Sequence, residues 1–233
     1  MITIYTLTYN EELLLQFSID HYRSRFPNCK IIIYDNSSTD KTIEIANNNN
    51  CEVRNYNSNH TLDDGLHRNM KNSIWKDAAT DWVLVCDLDE LLDINEEQLK
   101  QEEIAGKTKI KSEGWTMVNM EDNLDIHSMK YGYRDGGYDK DVLFNKKYIS
   151  EINYSAGCHQ CSSVGEIRYS DPYKLYHYKS ISPDYAVARC ADTAKRLSEA
   201  NKSNGWGGAC LRTEKAIRDD FTYIRSFSKK IRD

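Results

Sequence analysis

The sequence predicts an α/β protein whose mostly parallel central sheet is flanked by helices, with further helices at the C-terminus. Two observations carry this. Apolar strand-like runs alternate with helix-like periods through the first 92 residues, the order that builds parallel βαβ units. The last run, Trp82-Val83-Leu84-Val85-Cys86, is apolar throughout, as a strand buried on both faces is, and passes at once into Asp87-Leu88-Asp89-Glu90. A buried strand has no local reason to end in clustered negative charge, because like charges repel and lose solvation. A cation held at that strand end accounts for the cluster, and open α/β sheets place ligands at the carboxyl ends of their strands.

The elements follow in order. Ile2 to Leu7 reads as a strand. Asn10 is an N-cap candidate for a helix whose first turn holds Glu11 and Glu12 and whose apolar face holds Leu13, Leu14, Phe17, Ile19 and Tyr22. Pro27-Asn28 breaks it, and the β-branched run Cys29 to Tyr34 is a second strand. The polar loop Asp35 to Asp40 opens a second helix through Ile43, Ile45 and Ala46, which Asn47 to Asn50 ends. Glu52 to Tyr56 is a third strand, His67 to Ala78 a third helix, and Trp82 to Cys86 the fourth strand.

Beyond residue 92 the pattern changes. Asn95 to Ile104 is a charged, exposed helix. Short strands are expected at 115–118, 142–144, 152–154, 167–169 and 175–178, extending the same sheet and covering its carboxyl edge. Pro183 to Ser203 reads as a helix. Gly205-Trp206-Gly207-Gly208 separates it from a last helix, Leu211 to Arg232.

A net charge of -5 argues against a nucleic-acid partner, which calls for a basic face. No apolar run approaches a membrane span, and the first residues enter a strand without a leader pattern. Seven cysteines, odd in number and scattered, fit free thiols in a reducing compartment. A cytoplasmic location is the expectation. Cys158-His159-Gln160-Cys161 has the form of half a zinc site, but no second pair stands at ligand spacing.

Three segments together say more than any one. Leu7-Thr8-Tyr9-Asn10-Glu11-Glu12, then Tyr34-Asp35-Asn36-Ser37-Ser38-Thr39-Asp40-Lys41-Thr42, then Asp87-Leu88-Asp89-Glu90 stand in the order and spacing of a nucleotide-sugar glycosyltransferase. The chain resembles the GT-A fold, in particular family-2-like enzymes with a DxD motif, over about its first 95 residues. The resemblance implies a single GT-A domain in which 1–95 binds the nucleotide sugar, 96–180 forms the acceptor side and 181–233 is a C-terminal helical segment. It implies metal-dependent transfer of a sugar from a nucleoside-diphosphate donor, UDP- or dTDP-linked, to a saccharide, glycan or glycolipid.

On the matching residues, Asp35 is expected at the base, with Thr8 and Tyr9 lining the same pocket. Arg68 is expected near the nucleotide, with Lys71 and Asn72 as candidates for the diphosphate. Asp87 would touch ribose or metal-bound water, and Asp89 would ligate Mn²⁺ or Mg²⁺ directly. Glu90 reads as an outer or helix-starting residue. His177, in Leu175-Tyr176-His177-Tyr178, is a candidate third ligand whose imidazole favours Mn²⁺, with a structural histidine as the rival reading. Asp135 and Asp139 are candidates for a catalytic base, although Asp-Gly segments also arise for turn reasons. Trp115 and His159 are acceptor-side candidates, a core tryptophan being equally compatible with Trp115.

The last predicted helix carries Leu211, Ile217, Phe221, Ile224 and Ile231 on one stripe, ringed by Arg and Lys. Packing on its own domain is the simpler reading, and peripheral contact of 211–233 with an anionic membrane is the alternative. Two rival functions are weaker. A haloacid-dehalogenase-like phosphatase calls for its DxD on the first strand, whereas three strands precede this one. A non-catalytic sugar-binding module of the same fold has no need of both Asp35 and the Asp87–Asp89 pair.

Overall fold

The structure, a computed structural model, describes residues 1–232. The N-terminal half alternates as expected: β1 (Ile2–Thr8), α1 (Glu12–Arg25), β2 (Lys30–Asp35), α2 (Thr42–Asn48), β3 (Glu52–Asn55), α3 (Asp64–Lys71) and β4 (Trp82–Val85). Then come β5 (Glu90–Leu92), α4 (Glu96–Ile104), β6 (Lys109–Ile110), β7 (Ser112–Val118), β8 (Tyr131–Arg134), β9 (Leu143–Asn145), β10 (Ile149–Glu151), β11 (Val164–Gly165) and β12 (Tyr173–Ser180). The chain closes with α5 (Pro183–Arg196), α6 (Glu199–Asn204), α7 (Glu214–Phe227) and β13 (Lys229–Lys230).

Strands β3, β2, β1 and β4 lie parallel in that order, β9 continues the sheet antiparallel to β4, and β6 closes it antiparallel to β9. The alternation of side chains sorts the strands' apolar residues onto two faces. One carries Ile4, Ile33 and Leu84 against Leu14, Leu15, Ile19 and Tyr22 of α1. The other carries Tyr5, Ile32, Val83 and Val85 against Ile74, Trp75 and Phe144. Burial on both faces explains the unbroken apolar run of β4.

The second half does not simply extend this sheet. Strands β13, β8, β7, β12 and β5 form a second, five-stranded sheet, and only β9 and β6 join the first. Strand β5 follows β4 after four residues yet belongs to the other sheet, so Cys86–Asp89 is the junction between the two. The register of β5 on β12 sets Glu90 opposite His177. Helix α1 anchors the far side: Tyr22 Oη donates to the Glu90 carbonyl at 3.1 Å, and His21 Nε2 lies 2.9 Å from the Leu92 carbonyl.

Several expected boundaries shift, each for a visible reason. Asn10 does not cap α1; its backbone is left-handed and its Oδ1 accepts from the Thr39 N–H at 2.8 Å, tying the β1 end to the Asp35 loop. Asp63 caps α3 early, and the helix gives way to turns after Lys71, where the Asn72 side chain takes the Tyr154 backbone instead. The expected 183–203 helix breaks at Leu197–Ser198, where Leu62 bonds the chain on both sides and Ser198 caps α6. Residues 152–154 and 167–169 make isolated bridges rather than strands. The last helix ends at Phe227, and Lys229–Lys230 pair with β8. Ile217 and Phe221 of α7 are buried, and Arg212, Lys215, Arg218 and Arg225 pair with acidic groups of the same chain. All seven cysteines are free.

Burial, reinforced by the Arg25 charge, pushes the His21 imidazole down to about 4. The unfolded chain therefore binds the extra proton between about pH 6.5 and pH 4, and stability falls as pH drops through that window. Urea unfolding of His21→Gln at pH 7 and pH 4.5 should show a smaller acid loss than the unsubstituted chain. Equal losses would mean that another group carries the effect.

Candidate active site

A cleft of about 550 Å³ opens at the carboxyl ends of β1, β2 and β4. Its floor is Asp87–Glu90; one wall is Thr8–Glu11 with Asn36 and Tyr56; the others are Tyr138, Lys140, His159 and His177, and the α5 residues Tyr185, Arg189, Asp192 and Arg196. Open α/β sheets bind ligands at this position.

The junction residues are held by charge. Both oxygens of Asp87 are taken, one by Lys71 and the other by Lys140 at 3.1 Å. Burial opposes ionisation of Asp87, but the two ammonium groups win and hold its carboxyl well below the usual range. Lys140 also reaches Glu90 Oε1 at 2.5 Å. Lys71, Lys140 and Glu90 are all buried, so each charge depends on its partners. Asp89 faces the other way: its Oδ2 lies 3.5 Å from His177 Nε2 and 3.6 Å from Arg189 Nη2. Burial again works against the charge, yet His177 and Arg189 keep Asp89 below the ordinary carboxylate range. Arg189 grips Glu11 with both nitrogens at 2.9 and 3.0 Å.

The other end of the cleft is aromatic, with one carboxylate beneath it and one guanidinium over it. Strand register sets Thr8 beside Asp35. The Asp35 carboxylate accepts from the Ser38 N–H and hydroxyl at 2.9 and 2.5 Å, and Thr8 Oγ1 lies 3.4 Å away. Tyr9 lines the cleft with the Arg196 guanidinium stacked 4.1 Å from its ring centre. Tyr56 Oη and His67 Nε2 lie 3.0 Å apart, and burial holds the His67 imidazole down to about 4, so it is neutral at pH 7.

The structure thus gathers Thr8, Tyr9, Asp87, Asp89, His159 and His177 around one cavity, with Asp35 beneath its edge. Other expectations need correction. Lys71 is spent on Asp87 rather than free for a diphosphate. Asn72 serves the Tyr154 backbone. Arg68 bonds Asn69 and is not among the lining residues. Asp135 caps a turn and accepts from Thr116 Oγ1 at 3.0 Å, while Asp139 takes the Gly114 N–H at 2.8 Å and Arg134 at 2.6 Å. Neither lines the cleft; they fold the turn that presents Tyr138. That turn lies so close to β7 that a Cβ on Gly114 would sit 2.5 Å from the Tyr138 backbone. Trp115 packs with the core, under Lys174.

Glu11, Arg189 and Arg196 escaped the sequence reading as site residues, and Tyr138 and Lys140 drew notice only as part of the Asp135–Lys140 loop, where acceptor contacts were expected. Lys140 stands one residue after Asp139 and Glu11 directly follows Asn10, but no local pattern told that they face inward. Arg189 and Arg196 sit two helical turns apart on one face of α5, a spacing that also fits a solvated stripe.

Asp89, Glu90 and His177 each offer a ligand atom within 4.8 Å of the others. Glu90 Oε2 is buried and, among the described residues, has no hydrogen-bond partner. One free carboxylate oxygen, a second carboxylate and an imidazole suit a borderline divalent cation such as Mn²⁺. Glu90 thus offers an oxygen that the sequence reading did not count, whereas both oxygens of Asp87 are engaged by lysines.

Residues 3–109 match the family model described as glycosyl transferase family 2. Over that stretch, a little under half of the chain, the sequence is similar to family-2 glycosyltransferases. The matched stretch holds Thr8, Asp35 and Asp87–Glu90, while His177 and α5 lie beyond it. No curated protein sequence matches the chain. Among solved structures, the 1–349 fragment of S. aureus TarS has 15% identity over 97% of this chain and 71% of its own, with a TM-score of 0.44. The same fragment with UDP-GlcNAc has 16% identity over 97% and 72%, also at 0.44. Glucosyl-3-phosphoglycerate synthase from Mycobacterium tuberculosis, bound to Mn²⁺, UDP and glucosyl-3-phosphoglycerate, has 19% identity over 49% and 44%, with a TM-score of 0.32. At these scores the likeness bears on neither substrate nor site.

Replacing Lys140 by Met would leave Asp87 short of one partner and Glu90 without any cation. The loss should be about 3–5 kcal/mol of unfolding free energy, read by urea denaturation at pH 7. The double variant Glu90→Gln/Lys140→Met should recover part of it.

Proposed function

We propose that the chain transfers a sugar from a nucleoside-diphosphate donor, UDP- or dTDP-linked, to a saccharide, glycan or glycolipid acceptor, with Mn²⁺ or Mg²⁺ at Asp89, Glu90 and His177. One observation carries this reading: three ligand-type side chains converge in a cleft also lined by the buried Lys140 and the half-buried Arg189 and Arg196. A metal-holding carboxylate cluster ringed by cations suits an anionic ligand that bridges both, as a diphosphate does.

The residues divide the work by position. Asp35, with Thr8 beside it, has carboxylate oxygens at the strand end suited to accept from a base. The Tyr9 ring and the Arg196 guanidinium offer flat faces for stacking. Lys140 and Arg189 lie on the side where the diphosphate meets Asp89, and their fixed charges stabilise the negative charge that grows on the leaving phosphate. A bound divalent ion supplies Lewis acidity at that same leaving group. Tyr138, 4.0 Å from His177 between ring centres and bonded to Lys179 at 2.9 Å, forms the wall facing the acceptor.

Ligand that binds only the folded chain raises its stability, by about 2.7 kcal/mol at a hundred times Kd. Thermal unfolding with UDP or dTDP and Mn²⁺ should therefore rise for the unsubstituted chain and rise far less for Asp89→Ala. An absence of any shift with each nucleoside diphosphate, with Mn²⁺ or Mg²⁺, would refute the transferase reading of this cleft.

A further inference from the structure

We infer that Arg189 is a resident cation of the site and competes with the divalent ion for Asp89, so that metal loading waits on the nucleoside diphosphate. The inference rests on the metal reading above and adds a residue to it. The guanidinium of Arg189 is anchored at two points, bidentate on Glu11 and at 2.8 Å on Tyr185 Oη. Its Nη2 then leans to 3.6 Å from Asp89 Oδ2, the same oxygen that His177 faces. An arginine cannot relieve a clash by losing its proton at any ordinary pH. A dication on Asp89 must therefore either sit beside a fixed positive charge or drive Arg189 away.

The local charge balance makes the second course unfavourable when no nucleotide is present. Four carboxylates, Glu11, Asp87, Asp89 and Glu90, face three cations, Lys71, Lys140 and Arg189. The cluster is thus close to neutral without any metal. Moving Arg189 would strip Glu11, which lies deep enough that burial already pulls its carboxyl up despite Arg189. An arriving diphosphate changes both sides of the balance. Its negative charge offsets the dication and offers Arg189 a second anion to follow. Arg189 is in this sense a positioning residue: it holds Asp89 in place when the site is empty and yields it when the donor arrives. It stands on α5, outside the stretch that matches the family model.

The test uses Mn²⁺ alone, titrated into the full chain without nucleotide and followed by the electron paramagnetic resonance signal of the free ion. Arg189→Gln should bind Mn²⁺ about tenfold more tightly than the unsubstituted chain, a coupling of ordinary size. Arg189→Lys, which keeps the charge, should stay near the unsubstituted affinity. Should Arg189→Gln fail to fold, Glu11→Gln/Arg189→Gln removes both members of the pair and reads the same quantity. Equal or weaker Mn²⁺ binding by the Gln variant, with UDP-supported Mn²⁺ binding intact, would overturn the role of Arg189 and leave the metal site standing. Absence of Mn²⁺ binding in every variant, even with UDP, would overturn both.

Discussion

The two larger sheets of this protein meet at a four-residue link, and buried ion pairs hold that link. Strand β4 closes the parallel part of one sheet, and β5 opens the edge of the other. Between them Asp87 is clasped by Lys71 from α3 and by Lys140 from the second half of the chain, and Lys140 reaches on to Glu90. Burying charges of this kind costs more than it returns unless every partner is present. The clasp therefore makes the position of the acidic segment depend on three distant parts of the sequence at once. Where α3, the 135–140 turn and the β4 end assemble, Asp89 points into the cleft. A single missing cation would leave it free to turn elsewhere.

The same arrangement separates two aspartates that look equivalent on paper. Asp87 is a structural anion with both oxygens engaged. Asp89 is poised between His177 and Arg189 at distances longer than a close ion pair, so its attachment is the looser one and the more easily exchanged. Glu90 is the converse case, buried in β5 with one oxygen on Lys140 and the other without a partner among the described residues. An incompletely satisfied group in a low-dielectric site is a place where an incoming cation gains most. The chemistry of the cleft thus follows from which oxygens the fold leaves unused.

Helix α5 lines this site, and α6 braces it there. Leu62 bonds Arg196 and Ser198 across the α5–α6 break, and Asn201 exchanges hydrogen bonds with Asp64 at the start of α3. These ties fix the helix face that carries Arg189 and Arg196 against the β1 end and over Tyr9. By contrast α7 packs Ile217 and Phe221 inward and pairs its basic residues with neighbouring acids, while Leu211, Tyr223 and Phe227 stay exposed.

How much could be read without the fold depended on the range of the interaction. The alternation of strands and helices through Val85, the buried character of β4, and the placing of Asp35 and Asp89 at strand ends were legible, because hydrophobic period, caps and strand-end charge are encoded within a few neighbours. His177 was expected as a candidate ligand beside a structural histidine in an alternating strand; its place opposite Glu90 is a matter of register between β12 and β5. Asp135 and Asp139 looked equally chemical and proved to be turn-forming, since nothing local told where their oxygens would be spent. The partners of Lys71, Lys140 and Arg189 lie 16, 53 and 178 positions away in the chain. The sequence by itself determined the strand ends at which anions and caps collect. Only the tertiary structure decided which of those charges are neutralised and which remain open to a ligand, because ion pairing between buried groups is a property of distance in space and leaves no period in the chain.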